Sequence, residues 1–420
     1  MKNTNYWFYI YPDVYCSDNL IGNRLLYNTT TGNHMLLHDQ IISSLIDEVY
    51  NPTNLGVTCT SKSVLKKNYL IISEAINKKL IGIKAVDNKK HKPINLLPYL
   101  NIQRDYDDPD NKSVVGDDVI SYLSQLNIFL TCAATPLSKK NISMHIPFPS
   151  YESEPSDVQL KASSISHLLD ETKYSLLKDV NFFNWRKYDE SYKKILLDYI
   201  LGNKHYRYHF WFFVDELDEL KILYKLHQKI YFDFIITPDD KYTIRFFLSR
   251  LEQDLPLSAN LIFRIYVSSD DEYVFFQECF NCVKCKTYYM PLYNGGNLDF
   301  FEDKVYLDEK DIFSSIVSMQ KIFCNQKINS NFFGVLYVYP NGSVTAKNNS
   351  KILGNLYSDS IKKIIHEELI MNTSWRKIRN NKKCNFCCYR FLCPPPSIYE
   401  DALNVENLCF IENANCRNNH

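Results

Sequence analysis

Apolar positions along the chain fall into three successive patterns. Up to about residue 90, short aromatic or aliphatic runs alternate with helical stripes. Residues 6–11 and Arg24–Asn28 predict strands, interrupted at Pro12-Asp13 and Ser17-Asp18, and the stretch around Gly32 predicts a turn. Ile41, Ile42, Leu45, Ile46 and Val49 recur at helical spacing, and Val64-Leu65 to Ala75-Ile76 predicts one or two further helices. A small β-hairpin followed by helices is the simplest reading of 1–90. From 91 to 325, runs rich in Tyr, Phe, Ile and Val at 126–131, 206–214, 231–237, 261–268 and 287–293 predict strands. Helical stretches at 215–230 and 239–251 separate some of them, and strands alternating with helices predict βα units and a parallel sheet. Five or six units can be counted, fewer than the eight of a full barrel, so a partial or open TIM-type barrel is expected. From 326 to 420, residues 332–340, Asn341-Gly342 and 343–346 predict a hairpin, and a helix is expected over 359–369. Beyond Trp375 the chain turns cysteine-rich and irregular.

Composition narrows the function classes. The chain has 420 residues, 48 basic against 48 acidic, so its charge does not point to nucleic acid or an anionic membrane as partner. It has 11 glycines where ordinary usage would give roughly thirty. No pair is spaced Gly-x-Gly and none precedes Lys-Ser or Lys-Thr, which excludes both the dinucleotide fingerprint and the Walker A loop. The first eleven residues make a poor signal peptide, and no apolar run reaches the roughly 18 residues of a membrane helix. A soluble protein of the reducing cytoplasm is expected. There, the 13 cysteines point to metal binding rather than disulfides.

The densest chemistry is Cys384-Asn-Phe-Cys387, then Cys393 after five residues, then Cys409. Cys-x2-Cys places two thiolates on one tight turn. Pro394-Pro395-Pro396 stiffens the chain directly after the third thiol, pre-placing it at less entropic cost. Four thiolates suit an iron–sulfur cube or a tetrahedral zinc, and buried thiols without any metal remain open. Cys388 and Cys416 are spare thiols, either of which could stand in as fourth ligand.

These residues carry a resemblance. Tyr337-x-Tyr-Pro-Asn-Gly-Ser343, Leu353-Gly-Asn355 and the Cys-x2-Cys-x5-Cys run resemble a SPASM domain, the auxiliary-cluster module of radical S-adenosylmethionine peptide maturases. More narrowly, Cys387-Cys-Tyr-Arg-Phe-Leu-Cys-Pro-Pro-Pro-Ser-Ile-Tyr-Glu400 and Asn407-Leu-Cys409 resemble the pseudo-radical-SAM proteins of peptide-maturation gene clusters. So do Tyr6-Trp-Phe-Tyr-Ile-Tyr-Pro12, Leu26-Tyr-Asn-Thr29, Pro291-Leu-Tyr-Asn-Gly295, Phe300-Phe-Glu302 and Val305-Tyr306. The resemblance implies three parts: an α+β, winged-helix-like recognition unit over 1–90, a degenerate radical-SAM-like partial (β/α) barrel over 91–325, and a SPASM iron–sulfur module over 326–420.

Departures from the parent families shape the expected function. Radical enzymes hold their catalytic cluster with Cys-x3-Cys-x2-Cys after the first barrel strand. Here only Cys132 follows an early strand, and the spaced positions are Pro136 and Lys139. The family's Gly-Gly-Glu-Pro segment has no counterpart; the sole Gly-Gly, Gly295-Gly296, precedes Asn297-Leu298. Two-cluster SPASM domains carry further cysteines where this chain has Thr345-Ala346, Asp359 and Ser397. The resemblance therefore implies one 4Fe-4S cluster on Cys384, Cys387, Cys393 and Cys409, no S-adenosylmethionine and no catalytic residues. The expected role is accessory: binding a ribosomal precursor peptide, its active maturase, or both. The alternatives are an active SPASM-type peptide-modifying oxidoreductase and a zinc-stabilised interaction protein.

Other motifs read more simply. Cys279, Cys282 and Cys285 could hold a metal with Cys324, but read better as core thiols beside Phe275, Phe276 and Phe280. His366-Glu367 lacks the second histidine of a zinc-protease helix, Ile370 standing there. Asp105, Asp107, Asp108, Asp110, Asp117 and Asp118 form a solvated acidic loop without calcium-loop spacing. Tyr206, Tyr208, His209, Trp211 and Phe212 read as a strand buried on both faces rather than a stacking surface. Residues 6–11 or 24–28 could offer an edge for an added leader-peptide strand.

Overall fold

A computed structural model describes residues 5–18, 22–87, 91–97, 118–132, 158–224, 230–254, 260–348 and 350–411. The acidic positions 105–117, Pro136, Lys139 and Cys416 lie outside them.

The N-terminal elements are β1 (Asn5–Ile10), β2 (Val14–Cys16), β3 (Arg24–Asn28), β4 (His34–Leu37), α1 (Gln40–Tyr50), β5 (Val57–Ser61), α2 (Lys62–Lys67), α3 (Tyr69–Asn77) and β6 (Ile81–Ala85). Asp39 starts α1 by accepting from the Ile42 amide, and its stripe of Ile42, Ile46 and Val49 packs with Phe8, Ile10 and Leu26. The strands form two antiparallel three-stranded sheets, ordered β5-β1-β6 and β2-β3-β4, rather than a single hairpin. This corrects the expected docking edge. β1 and β3 are each the central strand of their sheet, so neither 6–11 nor 24–28 presents unpaired backbone groups.

The large sheet begins with β7 (Gln125–Phe129). The chain then alternates α4 (Ala162–Glu171), β8 (Asp179–Phe183), α5 (Glu190–Gly202), β9 (Arg207–Phe213), α6 (Leu217–Tyr224), β10 (Ile230–Ile236), α7 (Ile244–Asp254), β11 (Leu261–Val267), α8 (Asp270–Phe280) and β12 (Lys286–Pro291). There follow α9 (Leu298–Val305), α10 (Glu309–Phe313), α11 (Met319–Lys327), β13 (Val335–Val338), β14 (Ser343–Thr345), β15 (Gly354–Asn355), α12 (Ile361–Met371), α13 (Lys382–Asn385) and α14 (Ile398–Leu403). Nine strands pair in the order β12-β11-β10-β9-β8-β7-β13-β14-β15. β7 to β12 are parallel and stand beside one another in chain order, without the reversal point of a doubly wound sheet. Among the described residues the sheet is open, with β12 and β15 as its outer strands. β13 joins β7 in parallel and then turns through the predicted Asn341-Gly342 hairpin, so the sheet runs straight through the expected boundary at 325.

One face of this sheet packs the helices. Leu126, Val180, Phe210, Phe234 and Phe263 meet Ile165, Leu196, Leu220, Phe247 and Phe276 in one core. The opposite face carries a second cluster of Phe129, Phe183, Trp211, Ile235, Tyr266, Leu292 and Tyr339. β9 is thus buried from both sides over its second half, as its composition predicts. Three expectations need correction. β8 was not foreseen, because its polar Asp179 and Asn181 disguise an Asp-Val-Asn-Phe-Phe strand. The helix expected to reach residue 230 gives way to a strand that starts at Ile230, where β-branched and aromatic residues dominate. The helix expected from residue 239 begins at Ile244, after a 3-10 turn over Pro238–Tyr242.

Two local features make testable statements. Gly334 has φ +80°, and a Cβ there would lie 2.4 Å from the Tyr122 carbonyl and 2.7 Å from Ser124 Oγ. Its own carbonyl accepts from the amides of Ser124 and Gln125, which fixes β13 against β7. Gly334→Ala is expected to cost about 2–3 kcal/mol in urea unfolding, from left-handed backbone strain plus the clash. At the end of β9, Glu216 accepts from the Phe213 amide at 2.9 Å. Burial pushes its carboxyl up to about 7 despite that bond, with Asp215 and Glu219 adding to the rise. An acid whose folded pKa lies above its unfolded value near 4.5 favours the fold most while protonated; that stability falls as pH rises through about 7. Glu216→Gln keeps an acceptor without the charge. It is therefore expected to exceed the parent by about 1–2 kcal/mol at pH 8, discounted for partial exposure, and to match it near pH 4.

Candidate metal centre

The cysteine segment has little regular structure, so turns and side-chain bonds must position its thiols. Asn381 starts the short α13 by accepting from the Cys384 amide at 2.8 Å. Successive turns then run from Cys384 to Cys387, Cys387 to Arg390, and Tyr389 to Cys393. Polar side chains hold the triproline from outside. Asn325 donates to the carbonyls of Phe391 and Cys393, Asn329 to that of Pro396, and Asn331 to that of Pro395. The Arg379 guanidinium bonds the Pro394 carbonyl and pairs with Glu400, both side chains being buried. Glu400 in turn closes a capping box with Ser397 at the start of α14. Cys409 arrives from elsewhere: a parallel bridge sets it beside Leu307, with Leu307 donating to the Leu408 carbonyl and Phe410 donating back to Leu307.

The four thiols that sequence spacing singled out, Cys384, Cys387, Cys393 and Cys409, line one cavity. Leu307, Leu408 and Ile411 give it apolar wall, and Arg379, Lys383 and Arg390 surround it with positive charge. The Ile411 amide donates to the Cys409 sulfur at 3.2 Å. Burial pushes the Cys387 thiol up to about 11, against a bond from the Tyr389 amide, and neighbouring Cys384 and Cys409 add to the rise. Burial pushes Cys393 up to about 12, the nearby Arg379 notwithstanding, with the other three thiols adding again. Such sulfurs stay protonated at neutral pH unless a cation displaces their protons, the linkage expected of ligand thiols.

Among the described residues, no three His, Cys, Asp or Glu side chains are arranged to hold one metal ion. A single zinc, with Zn–S bonds of about 2.3 Å, would draw its four sulfurs to within roughly 4 Å of each other. The same four thiolates would hold an iron–sulfur cluster, which would supply a redox centre there. The donor set, the amide donor to sulfur and the apolar wall suit such a cluster, whose potential hydrogen bonds and burial would tune.

The remaining cysteines fall elsewhere. Cys388 does not line the cavity; it joins the core formed by Tyr15, Leu25, Tyr27, Ile312, Tyr389 and Leu392, and faces Glu309. That core packs the β2-β3-β4 sheet directly on the cysteine segment. Cys279 and Cys285 are partly buried against the main core, the packing role the sequence suggested, whereas Cys282 is exposed and not part of that core. Cys132 is buried just past β7, its amide donating to Val158.

Sequence reasoning missed a polar line on the face opposite the helices. His209 contacts Asp179 and Asp233, Asp233 receives Arg264, and Arg264 lies over Trp211. The available signal was a single charge inside each apolar run, Asp233 in Ile-Tyr-Phe-Asp-Phe-Ile-Ile and Arg264 in Leu-Ile-Phe-Arg-Ile-Tyr-Val.

No family model matches the chain, and no curated protein matches it. Among solved structures, Streptococcus suis SuiB bound to S-adenosylmethionine is similar at 11% identity and a TM-score of 0.41, covering 96% of this chain and 98% of that one. SuiB bound to its precursor peptide SuiA gives 11%, a TM-score of 0.39, and 96% and 99% coverage. Native anSMEcpe with bound AdoMet gives 11% and a TM-score of 0.43 over 64% of this chain and 88% of that one.

Proposed function

We propose that this chain is an accessory protein of a radical-SAM peptide-maturation system, carrying one auxiliary 4Fe-4S cluster and no catalytic one. The observation that carries the reading is the meeting of Cys384, Cys387, Cys393 and Cys409 at one cavity. The sequence beyond β7, by contrast, offers Cys132 with Pro136 and Lys139 where an active enzyme needs three thiols. When bound, the cluster supplies a cross-link among four thiolates and a site for one-electron exchange. The protein's own part is to hold the thiols in turns, exclude water with Leu307, Leu408 and Ile411, and set positive charge around the anionic centre.

Its partner is a precursor peptide, a maturase, or both. For the peptide, the outer strands of the first small sheet among the described residues are β5 and β6. Asn95 bonds the carbonyls of Ile10 and Gly56 across the start of β5, which leaves Ile81–Ala85 the freer edge for strand addition. Two measurements test the reading. Anaerobically reconstituted, reduced protein given S-adenosylmethionine is expected to form no 5′-deoxyadenosine above blank; formation would favour the active oxidoreductase. Adding a synthetic precursor leader peptide is expected to slow amide exchange at 81–85 in the full chain. Unchanged exchange would remove this edge from the account.

A further inference from the structure

Five adjacent strands contribute polar groups to the face of the large sheet opposite its helix-packed core, and they converge on one guanidinium. Asp233 on β10 is fully buried and accepts from His209 Nδ1 of β9 at 2.8 Å and from Arg264 Nε of β11 at 2.9 Å. His209 Nε2 lies 3.4 Å from Asp179 of β8, which also pairs with Arg207 at 2.6 Å. The Arg264 guanidinium sits 4.5 Å from the Trp211 ring of β9 and 5.6 Å from the Tyr288 ring of β12. The Trp211 ring is itself fixed, its Nε1 donating to Asn181 at 2.9 Å while Asn181 donates to Asn127 of β7 at 3.0 Å. Arg264 is thus held by a buried carboxylate at Nε and by two aromatic rings. Among the described residues its Nη1 and Nη2 make no hydrogen bond or ion pair, and its side chain is 28% exposed.

We propose that Arg264 is an anion-recognition residue whose free guanidinium edge takes a carboxylate on this face of the sheet. A guanidinium presents parallel N–H donors that match the two oxygens of a carboxylate, and prior fixation lowers the entropy lost on binding. Burying Asp233 with two cationic partners is a poor route to stability, since apolar residues of similar volume do as well or better. Orienting the open fork gives the arrangement a purpose that packing does not. The charges agree: Asp233 and Asp179 face Arg264, Arg207 and His209, leaving the face neutral to positive. Only the source of the carboxylate rests on the peptide-binding reading. An Asp or Glu side chain, a peptide C-terminus and a free dicarboxylate share this chemistry.

Trp211, under the guanidinium, provides the readout. The full chain is titrated with glutarate, with an internal-glutamate peptide blocked at both ends, and with triglycine bearing a free C-terminus, against the corresponding amides at matched ionic strength. The expected result is a saturable change in tryptophan fluorescence with carboxylate probes and none with amides, with Trp211→Phe removing the signal. Calorimetry is expected to show binding weakened about tenfold or more in Arg264→Gln and in Arg264→Lys, which keeps the charge but not the fork. Binding unchanged in the lysine variant, or absent for every carboxylate in the parent, would overturn the proposal. Preference between the two peptides identifies the source. Glutarate binding in a chain that binds no iron would sustain this site while refuting the proposed function.

Discussion

Cys393→Ala is expected to abolish iron retention after anaerobic reconstitution and to erase the stability that reconstitution confers on the parent. Two contributions must be separated. Cys393 is also a core side chain beside Tyr389 and Leu392, so trimming it costs about 1 kcal/mol with or without metal. Ligation is larger by an order of magnitude: structural metal sites return roughly 10 kcal/mol or more of binding free energy as folding free energy. The segment from Cys384 to Pro396 gives that energy somewhere to act, because turns and side-chain bonds rather than a ladder hold it. Thermal unfolding with and without reconstitution therefore distinguishes the two. The parent is expected to gain several degrees, Cys393→Ala nothing, and Cys388→Ala as much as the parent, since Cys388 lies in the neighbouring core. A gain that survives in Cys393→Ala would mean the metal sits elsewhere.

Asp233→Ala is expected to destabilise the chain by about 3–5 kcal/mol in urea unfolding. The reason is what remains rather than what is lost. Asp233 is fully buried, and its removal strands the Arg264 guanidinium against Trp211 and leaves His209 Nδ1 without its acceptor. A methyl group in its place also leaves a small void beside Ile235 and Trp211. Arg264→Met leaves the buried Asp233 carboxylate still paired with His209, a cation that can neutralise it, and is expected to cost less, about 1–2 kcal/mol. Equal losses in the two variants would contradict this account of the polar line.

The strand composition made most of the large sheet legible. Five of its six sequential parallel strands stood out for their aromatic and aliphatic runs, which the inner four bury and the outer β12 covers only in part. β8 escaped because Asp179 and Asn181 alternate with its apolar residues, and those polar residues are what the opposite face uses. The gathering of Cys384, Cys387 and Cys393 at one cavity was legible because two of these thiols share one turn and proline rigidity follows the third. That the chain brings Cys409 to it through a bridge with Leu307 could not be read, since such a bridge is a contact between segments far apart in sequence. For the same reason the N-terminal strands were found but their neighbours were not. β1 pairs with β5 and β6 from far along the chain, and β3 is flanked by the nearby β2 and β4, so two apparent edges became central strands.

The most direct test of the central claim is an iron and acid-labile sulfide count on the anaerobically reconstituted full chain, repeated on the Cys384, Cys387, Cys393 and Cys409 alanine variants. About four irons and four sulfides per parent chain, with loss in every variant, is the predicted result. One zinc per chain, or iron retained when these thiols are removed one at a time, would contradict it.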